Sequence, residues 1–165
     1  MIYFCIVIIM ISSGSIGYIL AQKYNNRVVF YNNAVKFADF LKLNIFYMRE
    51  NIGEIINKFV QDGDNKYLHK YLEVKKLLLE NTISVDELNK LNMCSDLTSN
   101  ETIEFVGFLN KLGKSNLESQ VQIIDSYKVV FENRLSECKK AQSQKGKICF
   151  KVAVFVGAII SILII

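Results

Sequence analysis

The chain has 165 residues, a formal net charge of +4 and a hydrophobic fraction of 51%, which is high for a soluble domain of this size. It contains no proline, the strongest helix breaker, so long helices are expected. The central residues 50–138 carry ten basic and fifteen acidic side chains, and this acidic balance argues against a nucleic-acid-binding protein.

The first 21 residues carry no charged side chain. As a helix they reach roughly 31 Å, enough to cross a bilayer core of about 30 Å. A cleaved signal peptide would begin with positive charge and end in a small-x-small site, and Ile19-Leu20-Ala21 is a poor site of that kind. The sequence therefore predicts an uncleaved transmembrane helix at residues 1–22.

A second uncharged run, residues 152–165, is about 21 Å long as a helix. It reaches a full span when residues 148–150 join it and Lys151 extends its ammonium group to the membrane interface. The pattern predicts a second transmembrane helix at residues 148–165. Residues 23–147 are then a helical domain between the two spans.

Basic residues flank both predicted spans on the side of this middle domain. Lys23 and Arg27 follow the first span, and five lysines precede the second with no acid among them: Lys139, Lys140, Lys145, Lys147 and Lys151. Positive charge is enriched on the cytoplasmic side of membrane proteins. We therefore expect the middle domain in the cytoplasm and both termini on the opposite side of the membrane.

Small residues recur on one face of each predicted span. Ala153, Gly157 and Ser161 are spaced four residues apart in the second span. Ser13 and Gly17 have the same spacing in the first. This small-xxx-small pattern permits close helix approach, so these residues are candidates for packing of the spans against each other or against a partner span. The alternative is a chance occurrence on a lipid-facing surface.

Apolar residues recur at helical spacing through the middle domain and predict about six helices. The predicted stripes are Phe30, Ala34, Phe37, Ala38, Leu41, Ile45 and Met48; Ile52, Ile55, Ile56 and Phe59; Leu68, Tyr71, Leu72, Leu78 and Leu79; Val85, Leu88 and Leu91; Ile103, Val106, Leu109 and Leu112; and Leu117, Val121, Ile124, Phe131, Leu135 and Cys138. Capping-box patterns, each with a glutamate three residues later, begin four of these helices, at Asn51, Ser84, Thr98 and Ser115. No strand pattern is found, so the predicted fold is all-α, an antiparallel bundle flanked by two transmembrane helices.

The segment Gly113-Lys114-Ser115 has the composition that ends a phosphate-binding loop, G-x-x-x-x-G-K-[ST] between a strand and a helix. Here five residues separate Gly107 from Gly113, one too many, and they follow a helical pattern with no strand before them. We interpret the segment as a corner between two helices. Gly113 ends one helix in the left-handed conformation, and Ser115 caps the next.

No metal or cofactor site is expected, and no small-molecule substrate. The four cysteines, Cys5, Cys94, Cys138 and Cys149, show no C-x-x-C spacing and are interpreted as apolar fillers. The only histidine, His69, has no Cys or His nearby at metal-ligand spacing.

The helix corner belongs to a longer pattern in the C-terminal half. This pattern is Leu112-Gly113, the polar pair Ser115-Asn116, Gln120 four residues on, a long helix through Ala141, the approach Lys145-x-Lys147 and a closing span with Gly157. Upstream stand Leu41-x-x-x-Ile45-x-Tyr47 and Ile52-x-Glu54. In this layout the chain resembles the stage III sporulation protein AB family. It departs from the family at Asn44, where an acid is expected, and at Asn51, where a proline is usual.

The resemblance implies a six-helix bundle similar to the cytoplasmic domains of the F-type platform protein of type II secretion and type IV pilus machines. It implies a place in the mother-cell membrane facing the forespore, within the channel complex that joins the two cells. The partners it implies are a cytoplasmic secretion-type ATPase and other membrane proteins of that channel. A protein of this family is expected to have no active site of its own.

Two other functions compete with this interpretation. A two-span receptor or adapter with a helical sensor domain would place the bundle outside, against the lysine distribution, and a reporter fused to the C-terminus distinguishes the two. An enzyme would bind a nucleotide or a metal. In that case Lys114→Ala would abolish function, whereas at a helix corner it would be nearly silent.

Overall fold

The computed structural model describes residues 2–61, 67–79 and 96–163, with the side chains of residues 2–7, 9, 10, 78, 147, 150 and 163 excepted. The helices are α1 (Ile2–Leu43), α2 (Ile52–Gln61), α3 (His69–Leu79), α4 (Ser99–Lys111), α5 (Leu117–Ala141) and α6 (Lys147–Leu163). Two π-helical segments, Asn44–Met48 and Gln142–Gly146, follow α1 and α5. The described residues contain no strand, which confirms the all-α prediction. The helix predicted at residues 84–91 lies outside the described residues.

The chain divides into two compact units. The first unit consists of Met1–Val28 and Ser136–Ile165, and the second of Val29–Leu135. Helices α1 and α5 each contribute residues to both.

An aromatic cluster forms the core of the second unit. The ring centroid of Phe30 lies 5.1 Å from that of Phe105 and 6.0 Å from that of Tyr71. The ring of Phe131 on α5 lies 5.7 Å from Phe105 and 5.3 Å from Phe108. Edge-to-face and tilted contacts of this kind add to the hydrophobic gain from burial, so the cluster joins α1, α3, α4 and α5.

Most of the predicted core positions that the structure describes are buried, Phe59, Val121 and Leu135 are half-buried, and four are exposed. Met48, Leu79, Ile103 and Leu117 are exposed to 62%, 39%, 68% and 39%. Met48 follows the change from α-helix to π-helix, which turns it away from the buried face of α1. Ile103 faces outward because α4 buries Phe105, Val106, Phe108 and Leu109 instead. The prediction that these four belong to the core is wrong.

Ion pairs connect the helices at the surface of the second unit. Lys42 and Lys128 lie 2.7 Å and 2.5 Å from Asp125 and Asp39, and join α1 to α5. The hydrogen bond to Asp39 raises the pKa of Lys128. Because these groups are partly exposed, each pair adds little stability, but together they fit the antiparallel pairing of the two helices.

The predicted transmembrane helices are not confirmed. Within the described part of the chain, no helix combines the length and hydrophobicity required for a membrane span. The spans at residues 1–22 and 148–165 stay a prediction.

Candidate interaction surfaces

Helices α4 and α5 meet at a corner formed by residues 112–116. Leu112 is the C-cap of α4 with extended backbone angles, and Gly113 follows with φ of +85°. This left-handed conformation strains any residue with a Cβ. A Cβ here would lie 3.5 Å from Ile52 Cδ1, an ordinary van der Waals distance, so the backbone conformation and not the lack of space favours glycine. Gly113 thus ends the helix in the conformation that the sequence predicts.

Gln120 holds this corner with one amide group. It is 4% exposed, and its Nε2 donates to the carbonyl oxygen of Lys111 at 3.2 Å and to Ser115 Oγ at 2.7 Å. Its Oε1 accepts from the N–H of Gly113 at 3.3 Å. These bonds satisfy backbone groups that the end of a helix leaves without partners. The structure therefore brings the three corner residues of the sequence pattern into one network.

The N-cap of α5 differs from the prediction. Asn116 Oδ1 accepts from the N–H of Ser119 at 3.0 Å, and its carbonyl oxygen accepts from the N–H of Gln120 at 2.9 Å. Asn116 is therefore the cap, and the predicted capping role of Ser115 is wrong. The hydroxyl of Ser115 instead accepts from Gln120. Of the other predicted capping boxes, that of Thr98 with Glu101 is complete, and Asn51 Oδ1 caps α2 through the N–H of Gly53 at 3.1 Å.

A lysine from α3 supports the same corner. Lys75 is 3% exposed, and its Nζ donates to the carbonyl oxygen of Leu112 at 3.1 Å. Burial, and secondarily the charge of Lys114, lowers the pKa of Lys75 to about 8. The charge lies near the negative end of α4, where a cation is favourable.

Sequence reasoning missed Lys75. The signal was its position: Lys75 continues the buried stripe of Leu68, Tyr71 and Leu72 at helical spacing.

The corner does not have the geometry of a phosphate loop. Gly107 and the four residues after it lie inside α4, so their backbone N–H groups are directed along the helix. The N–H of Gly113 is bonded to Gln120. His69 Nδ1 lies 3.2 Å from Glu73 Oε2, and no group of three His, Cys, Asp or Glu side chains suited to a metal occurs in the described residues.

The last residue of α1 and the π-helical segment after it expose a group of large apolar side chains. We call Leu43, Phe46, Tyr47 and Met48 the π-turn patch; they are exposed to 56%, 54%, 74% and 62%. The rings of Phe46 and Tyr47 contact each other edge to face, with centroids 5.0 Å apart. Large apolar side chains exposed together in this way are typical of an interaction site.

The backbone at the patch is tightly held. Asn44 is buried, and its Nδ2 donates to the carbonyl oxygen of Phe40 at 2.8 Å. Arg49 closes the turn in the left-handed conformation with φ of +53° and donates its N–H to the Asn44 carbonyl. An acid at position 44 could not donate the Asn44 bond unless protonated. The sequence signal for the patch was the run Phe46-Tyr47-Met48, which cannot fit on one face of a helix.

The first unit contains an antiparallel helix pair, and two polar contacts among its described residues join the two segments. Ser13 Oγ donates to the carbonyl oxygen of Ala153, and Gln142 Nε2 donates to Asn25 Oδ1 at 2.9 Å. The structure thus brings together one residue of each predicted small-residue stripe. Of the others, Gly17, Gly157 and Ser161 are buried, and Ser161 Oγ donates to the Gly157 carbonyl within α6 at 2.8 Å.

A largely apolar groove of about 490 Å³ runs along this helix pair. Its lining is formed by Ser12, Ser13, Ile16, Leu20, Ile148, Cys149, Val152, Ala153, Val156 and Ile160. Exposed apolar side chains continue beyond the groove on both helices: Ile8, Ile11, Tyr18, Ile19, Val154, Phe155, Ile159 and Ile162. The first unit therefore presents a surface that is unfavourable in water.

Comparison with known proteins identifies the family. A family model described as stage III sporulation protein AB (spore_III_AB) matches residues 3–165, almost the whole chain. Searches of the curated proteins and of the solved structures found no match. The chain belongs to the stage III sporulation protein AB family, as its resemblance predicted, and its role lies in sporulation.

Proposed function

We propose that this member of the family is a non-enzymatic assembly component of a secretion-like channel between mother cell and forespore. The first unit anchors the protein in the mother-cell membrane facing the forespore. The second unit lies in the cytoplasm, and both termini lie on the opposite side. The second unit contacts the cytoplasmic secretion-type ATPase that the family resemblance implies, and so links it to membrane proteins of the channel.

The observation that carries the proposal is the π-turn patch. Its four apolar side chains are each more than half exposed, although the same unit buries other aromatic residues completely. The buried anchor at Asn44 and the turn at Arg49 fix the segment before any partner arrives, which lowers the entropy that binding must overcome. Aromatic residues, Met and Arg are the residue types enriched in protein interfaces.

The first unit supports membrane anchorage. Its exposed side chains between Ile8 and Leu20, and between Ile148 and Ile162, are predominantly apolar. These stretches coincide with the two spans that the sequence predicts. A lipid environment would remove this surface from water.

Affinity purification from sporulating cells tests the proposal. The bait is the tagged full chain in a detergent that keeps the membrane complex intact, compared with the variant Phe46→Ser/Tyr47→Ser. The matched control is Ile103→Ser, because Ile103 is 68% exposed in the same unit but lies outside the patch.

We expect the secretion-type ATPase to co-purify with the wild-type chain and the control, and to be lost from the patch variant. Sporulation efficiency should fall in the patch variant and not in the control. A wild-type preparation that contains channel membrane proteins but no ATPase contradicts the proposed link. Retention of the ATPase by a folded patch variant contradicts the role of the patch.

A further inference from the structure

Basic residues are concentrated in the first unit. It contains seven Lys and Arg residues and one acid, Glu137, whereas the second unit contains thirteen basic and fifteen acidic residues. Six of the seven basic residues have side chains that the structure describes. The positive charge of the chain therefore belongs to the unit that exposes the apolar helix pair.

Four of these lysines lie within one layer of the helix pair. The contacts of Gln142 with Asn25 and of Ala153 with Ser13 fix the antiparallel register. In this register Lys145, Lys140 and Lys139 lie level with α1 residues 22, 27 and 28, and Lys23 lies within the same interval. Six residues of helix correspond to about 9 Å. We call Lys23, Lys139, Lys140 and Lys145 the lysine collar.

All four collar side chains are exposed. Among the described residues none of them forms an ion pair, in contrast to Lys42, Lys58 and Lys128 of the second unit, each of which contacts a carboxylate. Charges that face no internal partner remain available for an external anion.

The collar lies at the border of the apolar surface. On α1, Tyr18, Ile19 and Leu20 directly precede its level and are exposed to 62%, 65% and 48%. A tyrosine followed by a lysine layer is the arrangement found at membrane–water interfaces. The layer of about 9 Å is comparable to the headgroup region on one side of a bilayer, roughly 5–8 Å.

We propose that the lysine collar binds the phosphate headgroups of an anionic phospholipid bilayer. This inference rests on the proposed membrane anchorage and adds the lipid class and its site. The positive collar is complementary to the negative surface of the cytoplasmic leaflet, and the neighbouring apolar side chains contact the acyl chains. Lys151 is exposed deeper along α6, and its aliphatic stem extends the ammonium group toward the same layer.

Spin-labelled lipids measure this preference in the full chain. The protein is reconstituted into phosphatidylcholine vesicles that contain a trace of spin-labelled phosphatidylglycerol or phosphatidylcholine, and the motionally restricted fraction of each label is recorded. The collar variant is Lys139→Gln/Lys140→Gln/Lys145→Gln. The matched control is Lys36→Gln/Lys70→Gln/Lys114→Gln, which removes three exposed lysines of the second unit.

We expect the wild-type chain and the control to favour phosphatidylglycerol over phosphatidylcholine by up to about fivefold. This ratio corresponds to the interaction of one lysine with an anionic membrane surface, about 1 kcal/mol. The ratio of restricted phosphatidylglycerol to restricted phosphatidylcholine should fall toward one in the collar variant and at high salt. Equal restriction of both lipids by the wild-type chain, or an unchanged preference in the collar variant, overturns the proposal.

Flotation of the same vesicles separates this proposal from the proposed function. A chain that floats with neutral vesicles but shows no lipid preference is anchored, and only the collar is wrong. A chain that does not float contradicts the membrane anchorage itself.

Discussion

The ammonium group of Lys75 donates to the carbonyl oxygen of Leu112 at 3.1 Å, at a site where the lysine side chain is 3% exposed. A cation from α3 thus contacts the C-cap of α4, and the amide of Gln120 contacts the residues on either side of it, Lys111 and Gly113. Two side chains from different helices therefore satisfy neighbouring carbonyl groups at one corner.

This contact predicts a stability that depends on pH. The folded pKa of Lys75 is about 8 and the unfolded value is 10.5, so between these values the unfolded chain binds more protons. Stability is therefore lower below pH 8 and rises as the pH increases to 10.5, by up to about 3 kcal/mol. Thermal unfolding in detergent micelles, followed by circular dichroism, measures the rise.

The variant Lys75→Met should lose this rise because it removes the titrating group and keeps an apolar side chain of similar length. Lys36→Met, at an exposed position of α1, should retain it. The same pH dependence in Lys75→Met as in the wild-type chain would show that Lys75 is not the group responsible.

Removing the amide of Gln120 should destabilise the corner. Gln120→Ala leaves the Lys111 carbonyl and the Gly113 N–H without partners, at a cost of about 2–3 kcal/mol. Gln120→Glu keeps the acceptor but loses both donor bonds, and should not restore stability. Gln122→Ala, exposed on the same helix, is the control and should change the unfolding free energy by less than about 0.5 kcal/mol. A Gln120→Ala change as small as that of the control would contradict the stabilising role of Gln120 at the corner.

The assignment of Asn116 as the cap of α5 has a direct test. Asn116→Ala removes the bond to the N–H of Ser119 and should cost about 1 kcal/mol. Ser115→Ala removes only an acceptor of Gln120 and should cost less. Unfolding free energies of both variants in micelles give the order, and a larger loss for Ser115→Ala would support the capping box of the sequence pattern.

The corner shows how far sequence reasoning reaches. Gly113 and Thr98 were predicted correctly because a left-handed stop and a capping box depend on a few adjacent residues. Ser115 was misassigned because Ser and Asn at neighbouring positions are both good caps, and the packing of Gln120 decides between them. Lys75 was missed because its partner, Leu112, lies 37 residues away in the chain.

The surfaces show the same limit. The stripes of α1 predicted Phe30, Phe37 and Leu41 in the core, because helical periodicity alone determines one buried face. The exposure of Met48 could not be predicted, because it depends on the change to a π-helix after Leu43. The small-residue pattern allows contact of Ser13 with Ala153 but also other pairings. Which pairing forms depends on the register of the two helices, and only the folded structure shows that register.

Arg49 should gain stability when replaced by glycine. Its φ of +53° costs a residue with a Cβ about 1–2 kcal/mol, more than the extra flexibility of glycine in the unfolded chain. Arg49→Gly should therefore raise the unfolding free energy by about 0.5 kcal/mol. The same substitution at Lys36, inside α1, should lower it by about 1 kcal/mol. Equal losses at both sites would show that Arg49 is not strained.

Gly14 and Gly17, both on α1 in the first unit, have opposite environments. Gly17 is buried, whereas a Cβ built at Gly14 meets no atom within 4 Å. Gly17→Leu should force the helices apart and cost about 1–3 kcal/mol by overpacking. Gly14→Leu should be neutral or stabilising because leucine favours a helix more than glycine does. Thermal unfolding of both variants in the same micelles compares them. If Gly17→Leu were as stable as Gly14→Leu, close approach of α1 and α6 at Gly17 would be excluded.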